Sequence, residues 1–245
     1  MSSITPAAPF VHALRLQPGS GDYSADLPAL RDVARLELDP RVTFLVGENG
    51  SAKSTLIEAI AIAAKLNAEG GGKLLRFTTR ASHSKLHERL SLERSHLPPL
   101  NAFFLRAESV FNMATAIEEG GPLGAREDVY QRPLHEQSHG ESFLDIAVNR
   151  LGPRGFYLLD EPEAALSVGG QLALMRRIHE LVLEHSQFVV ATHSPILLGY
   201  PDATILELGD DGIRRVDYNQ TQQVELTRAF LDDPQLFLRH LLADD

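Results

Sequence analysis

Residues 42–66 constrain the fold of this chain more than any other stretch. Val42 to Val46 is a compact β-branched and aromatic run, and Gly47-Glu48-Asn49-Gly50-Ser51-Ala52-Lys53-Ser54-Thr55 follows it. From Lys53 to Leu66 the pattern turns helical, with Leu56, Ile57, Ile60 and Ala61 on one face. The order is strand, glycine loop, helix. Such a loop gathers backbone N–H groups at the positive end of a helix, where an anion is stabilised. The plainer alternative is an ordinary strand-to-helix turn that contains glycines and a lysine.

The rest of the chain extends that alternation. Val11 to Leu16 and Arg35 to Leu38 read as strands, separated by PGSGD and DPR turn signals. Residues 67–101 are polar and irregular, with an amphipathic helix expected near Leu86 to Leu92. Ala102 to Arg106 reads as a strand, Gly120 to Pro133 as loop, and Glu141 to Leu151 as helix. Gly155 to Leu159 and Gln187 to Ala191 read as buried strands on either side of a helix over Gln171 to His185. Ala203 to Leu208 and Ile213 to Tyr218 form a hairpin turned by Asp-Asp-Gly. Strands alternating with helices point to an α/β fold with a mostly parallel sheet covered on both faces. The length of 245 residues suits one such domain, 1–245.

Three further segments carry chemistry. Phe156-Tyr157-Leu158-Leu159 is an apolar strand that ends in Asp160-Glu161. Two carboxylates there are costly to bury unless they hold a cation or a water, though a solvated turn before Pro162 is the simpler reading. Ser138-His139-Gly140-Glu141-Ser142 opens a helix, and Ser138 with Glu141 is by itself a capping box. Phe188-Val189-Val190-Ala191-Thr192-His193 places a histidine at a buried strand end, where a structural role is the usual one.

Taken together these segments resemble the ABC-class P-loop ATPases, in that family's order: P-loop, signature, Walker B, switch histidine. The resemblance runs from about Arg41 to Tyr200. Glu163-Ala164-Ala165-Leu166-Ser167 matches the D-loop, and LDEPEAALS and THSPILL look similar to small bacterial head-only relatives of SMC heads. The resemblance implies that residues 47–55 cradle the phosphates of ATP, with Lys53 reaching the β- and γ-phosphates. It implies that Ser54 and Asp160 hold Mg²⁺, that Glu161 orients or deprotonates the attacking water, and that His193 contacts the γ-phosphate. It also implies a head-to-tail dimer in which Ser138, Gly140 and Glu141 grip the ATP of the other copy. A helical signature subdomain over about 81–150 would be inserted in the core.

The chain departs from the family pattern at two places. Ala52 stands where a glycine is expected, and its methyl would meet a backbone that has to approach phosphate closely. Glu108 stands where a metal-side glutamine is expected, which makes it a candidate Mg²⁺ ligand or an ordinary helix-start acid. Tyr23 lies where such proteins often place an aromatic ring against adenine, although a core or surface tyrosine is the usual reading.

Composition limits the partners. A net charge of −10 argues mildly against a broad nucleic-acid footprint, although a local basic groove formed only in a dimer would escape that argument. The chain has no cysteine, which excludes disulfides and fits a cytoplasmic protein. No signal peptide is legible, and the most apolar segment, Leu56 to Leu66, is too short to span a bilayer. Work at a membrane would need a separate partner chain, and a protein partner is expected in any case. His83 and His87 at helical spacing lack the companions of a metal site.

Overall fold

The computed structural model describes residues 8–18, 27–72, 84–118 and 133–242. Tyr23, His83 and most of the Gly120 to Pro133 loop lie outside the described residues. In chain order the elements are β1 (Val11–Leu16), β2 (Arg35–Glu37), β3 (Val42–Val46), α1 (Lys53–Ala63) and β4 (Gly71–Gly72). Then come α2 (Leu86–Arg89), β5 (Leu90–Arg94), β6 (Asn101–Arg106), α3 (Val110–Glu118), α4 (His139–Arg150) and β7 (Gly155–Asp160). The last are α5 (Val168–Leu183), β8 (Gln187–Ala191), α6 (Pro195–Leu198), β9 (Thr204–Gly209), β10 (Gly212–Val216), α7 (Gln222–Asp232) and α8 (Pro234–Leu241).

The main sheet has the order β10-β9-β3-β8-β7-β6-β4. Its five inner strands are parallel, and β10 and β4 close the edges antiparallel. Every residue of β3, β7 and β8 is buried, which explains why these strands read as apolar runs rather than alternating ones. Successive side chains still point to opposite faces. Phe44, Tyr157 and Phe188 join Phe143 and Ile146 of α4 and Leu174 and Ile178 of α5 in one core. Leu45, Leu158 and Val189 join Leu56, Ile57 and Ile60 of α1 in the other.

A smaller antiparallel sheet, β2-β1-β5, lies over the α1 side through Leu14 and Leu16. The amphipathic stretch Leu86 to Leu92, read as a helix, is one short helical turn followed by β5, whose pairing with β1 overrides the local helical pattern. Consequently the 81–150 stretch is not helical throughout: β5 belongs to the small sheet and β6 to the main one. Its described helices are α3 and α4. The C-terminal α7 and α8 escaped sequence reading, because their apolar residues, such as Leu226, Leu231 and Leu241, remain exposed rather than marking a core face.

One polar residue joins the two sheets. Gln187, 1% exposed at the start of β8, accepts through Oε1 from the backbone N–H groups of Phe10 and Val11, both at 3.0 Å. Its Nε2 donates to the carbonyls of Val11 (2.8 Å) and Asp39 (2.9 Å). All four amide valences are satisfied in a buried site where unpaired groups are costly. Gln187→Leu would orphan four backbone groups. It should lower unfolding free energy by about 3 kcal/mol, read from a denaturant midpoint. A loss under about 1 kcal/mol would show that β1 is not held this way.

Candidate functional site at the strand ends

Three neighbouring strands deliver the chemistry to one edge. In the order β3-β8-β7, the C-terminal ends lead into the glycine loop, into Thr192-His193 and into Asp160-Glu161. Open parallel sheets collect ligand-binding groups at this edge.

The loop has the backbone its glycines allow. Gly47 has φ 148°, and a Cβ there would lie 2.3 Å from the Leu208 carbonyl oxygen, so no other residue fits. Lys53, only 4% exposed, folds its ammonium back onto the carbonyls of Gly47 (3.0 Å) and Glu48 (2.9 Å). Burial pushes the pKa of Lys53 down, while the nearby charges of Glu161, Asp160 and Glu163 oppose that shift. The Ser51 hydroxyl is buried in the loop without a hydrogen-bond partner. An orphaned hydroxyl, a lysine and the unpaired N–H groups that open α1 are the donor set a phosphate chain requires.

The Ala52 methyl is buried in the apolar cluster that holds Leu45 and Leu56. The cost of the alanine lies in the backbone, which is left-handed at φ 75° and ψ 9°. That conformation costs an L-residue about 1 kcal/mol.

Asp160 and Ser54 meet directly. The Ser54 hydroxyl donates to Asp160 Oδ1 at 3.3 Å, and Asp160 is 3% exposed. Burial raises its pKa to about 6, against the opposing pull of Arg106 and the Ser54 hydrogen bond and with the help of Glu161. A serine hydroxyl and one carboxylate are donors that Mg²⁺ accepts while keeping waters and phosphate oxygens in its other positions. Among the described residues no cluster of three or more His, Cys, Asp or Glu forms a cage for an ion.

Glu161 takes a left-handed backbone (φ 47°, ψ 50°), with its N–H bonded to the Ala191 carbonyl at 2.9 Å. Backbone strain of this kind concentrates at working residues. Its Oε1 lies 3.7 Å from His193 Nε2, a ring nitrogen that is buried without a hydrogen bond. Glu163 accepts from the His193 N–H, tying the turn after the acids to the start of α6.

The residues expected to form the signature sit at the start of α4. Ser138 accepts from the Glu141 N–H, and Glu141 accepts from the Ser138 N–H (2.9 Å) and hydroxyl (2.7 Å). Gly140 lies against the D-loop, where a Cβ would come 2.8 Å from the Ala165 carbonyl oxygen. The structure thus brings Lys53, Ser54, Asp160, Glu161 and His193 together, and places Ser138, Gly140 and Glu141 beside the D-loop turn. Glu108 is exposed in a short turn after β6 and pairs with Arg106 at 3.2 Å. A groove of about 730 Å³ flanks Gly47 to Ser51 on the β9–β10 side. Neither acid of the Asp160-Glu161 pair lines it, so the strand-end geometry, not the groove, locates the chemistry.

Sequence reading missed Arg106, whose signal was an arginine ending an otherwise apolar strand. In the β6–β7 register it faces Asp160 directly.

No protein-family model matches the sequence. A local match at 25% identity over 114 residues joins it to an uncharacterized ABC transporter ATP-binding protein of Haemophilus influenzae. It covers 45% of this chain and 43% of that protein, so the chain matches less than half the length of that relative. Among solved structures, the SMC head domain from Thermotoga maritima has a TM-score of 0.47 and 16% identity, over 84% of this chain and 98% of that one. An ATP-binding cassette of an ABC transporter in its ADP conformation has a TM-score of 0.49 and 18% identity, over 94% and 98%.

Two predictions follow from the buried acid and the left-handed alanine. Asp160 ionises near 3.8 when unfolded and near 6 when folded, so its charge destabilises the metal-free fold above about pH 6, and the penalty disappears as pH falls towards 4. Asp160→Asn in chelator should therefore gain roughly 3 kcal/mol at pH 8 and little at pH 4, measured by urea unfolding. Ala52→Gly should leave ATP affinity within about threefold in calorimetry, because the methyl faces the core. A much larger gain would put the methyl in the cradle after all. By its motif order, its parallel core and its local sequence match, the chain has the fold of an ABC-class P-loop ATPase.

Proposed function

We propose that the chain binds Mg-ATP at the strand-end site and hydrolyses it between two head-to-tail copies, driving a conformational change in a protein partner. The observation that carries this reading is the meeting of the Ser54 hydroxyl with Asp160, below a loop whose lysine is buried and whose Ser51 hydroxyl lacks a partner. Mg²⁺, when bound, neutralises charge on the β- and γ-phosphates and orients them.

The protein's own groups do the rest. Lys53 exchanges its two loop carbonyls for phosphate oxygens, and the opening N–H groups of α1 complete the cradle. Glu161 orients a water in line with the γ-phosphorus and takes its proton as the new P–O bond forms and the bridging bond to ADP breaks. His193, its Nε2 free of other bonds, contacts the γ-phosphate side of that water. The α4 start carries Ser138, Gly140 and Glu141 towards the second copy's ATP, and Gly140 couples that helix to the D-loop in the same chain.

A second reading makes the chain the nucleotide-binding subunit of a transporter. The Haemophilus influenzae relative, an ABC transporter ATP-binding protein, favours it. Among the described residues no helix is long and apolar enough to cross a membrane, so this reading requires a membrane partner. Co-purification with membranes separates the two.

The test is steady-state hydrolysis with Mg²⁺ beside ATP binding. Glu161→Gln should lose roughly 10²- to 10⁴-fold in rate while still binding ATP, and Lys53→Ala should lose binding. A native chain that binds ATP without turnover would be a nucleotide-dependent binding module. One that binds no ATP would overturn the proposal.

A further inference from the structure

Arg106 is the cation that Asp160 holds in this structure. β6 and β7 are parallel neighbours whose register sets Arg106 opposite Asp160. Arg106 Nε lies 3.3 Å from Asp160 Oδ2, while Oδ1 takes the Ser54 hydroxyl. Both oxygens of the buried carboxylate are therefore engaged. The same guanidinium reaches Glu108 Oε2 at 3.2 Å and Glu58 Oε2 at 3.6 Å. Lys53 also lies within electrostatic reach of Asp160 but bonds to loop carbonyls, so Arg106 is the cation in contact with the carboxylate.

Two features make this pairing replaceable. Arg106 Nε is buried but donates no well-formed hydrogen bond, so its hold on Asp160 is coulombic rather than a forked bond. The side chain also keeps 23% of its surface exposed and has Glu108, itself 76% exposed, as a partner on the outside. Arg106 can release Asp160 and remain paired.

Resting on the Mg-nucleotide reading above, we propose that Arg106 is a resident counter-cation of Asp160, holding Oδ2 while Ser54 marks Oδ1, and that its charge weakens the carboxylate's hold on a divalent cation. Arg106 and the metal compete for one carboxylate. The phosphates supply the extra negative charge that lets the metal win, so the cation enters with the triphosphate rather than ahead of it. Arg106 is a positioning residue in this scheme and touches neither phosphate nor water.

The test titrates Mn²⁺ into the full chain loaded with a non-hydrolysable ATP analogue, at about pH 8. Arg106→Gln should bind Mn²⁺ about tenfold more tightly than the native chain, and Arg106→Lys, which keeps the charge, should stay within about threefold of it. Unchanged or weaker Mn²⁺ binding in Arg106→Gln overturns the proposal. So does weaker binding of the analogue in chelator, which would make Arg106 a phosphate ligand. If Arg106→Gln does not fold, arginine Nε–H NMR signals of the native chain decide. The signal missing from Arg106→Lys must move when Mg²⁺ joins the analogue complex, and a signal that stays in place overturns the proposal. A native chain that binds no analogue, with or without Mn²⁺, instead removes the Mg-nucleotide reading on which the proposal rests.

Discussion

Burial of the Asp160 carboxylate at the end of β7 is the constraint around which the strand-end site is arranged. A charge in that position is tolerated because a hydroxyl, a guanidinium and the sheet register all converge on it. None of those partners is adjacent in sequence. Ser54 comes from α1, two strands away in the sheet, and Arg106 from β6 next door. A fold that merely stored stability would place an apolar residue there. The raised pKa is the local cost of keeping a carboxylate where a cation can reach it.

The same economy explains the loop and the turn beside it. Gly47 is required by the close Leu208 carbonyl, whereas Ala52 carries backbone strain yet adds a methyl to the core. Glu161 is also left-handed and is tied to β8 through the Ala191 carbonyl. Glu163 accepts from the N–H of His193, which ties the turn after the acids to the start of α6. Gly140 extends that linkage to α4 through Ala165. Contacts thus run from the acids to the start of α4.

Much of this was legible in the sequence. The strands β3, β7 and β8 were visible as unbroken apolar runs, because strands buried on both faces lack a polar alternation to confuse them. The β9–β10 hairpin was visible in its Asp-Asp-Gly turn. The acids, the lysine and the histidine were legible because each ends or follows a buried strand. β5 was not, since its pattern is locally helical and only its pairing with β1 makes it a strand. Gln187 and Arg106 were missed for a related reason. Their roles depend on which backbone or side chain stands across the sheet, and spacing along one chain carries no such information.

The central claim is that ATP is held between two copies of this chain. The most direct measurement is the solution mass of Glu161→Gln by light scattering, with and without ATP and Mg²⁺. The account predicts a monomer that becomes a dimer when both are present, and a return to monomer when Ser138→Arg blocks the start of α4. A mass that stays monomeric while ATP is bound would contradict it.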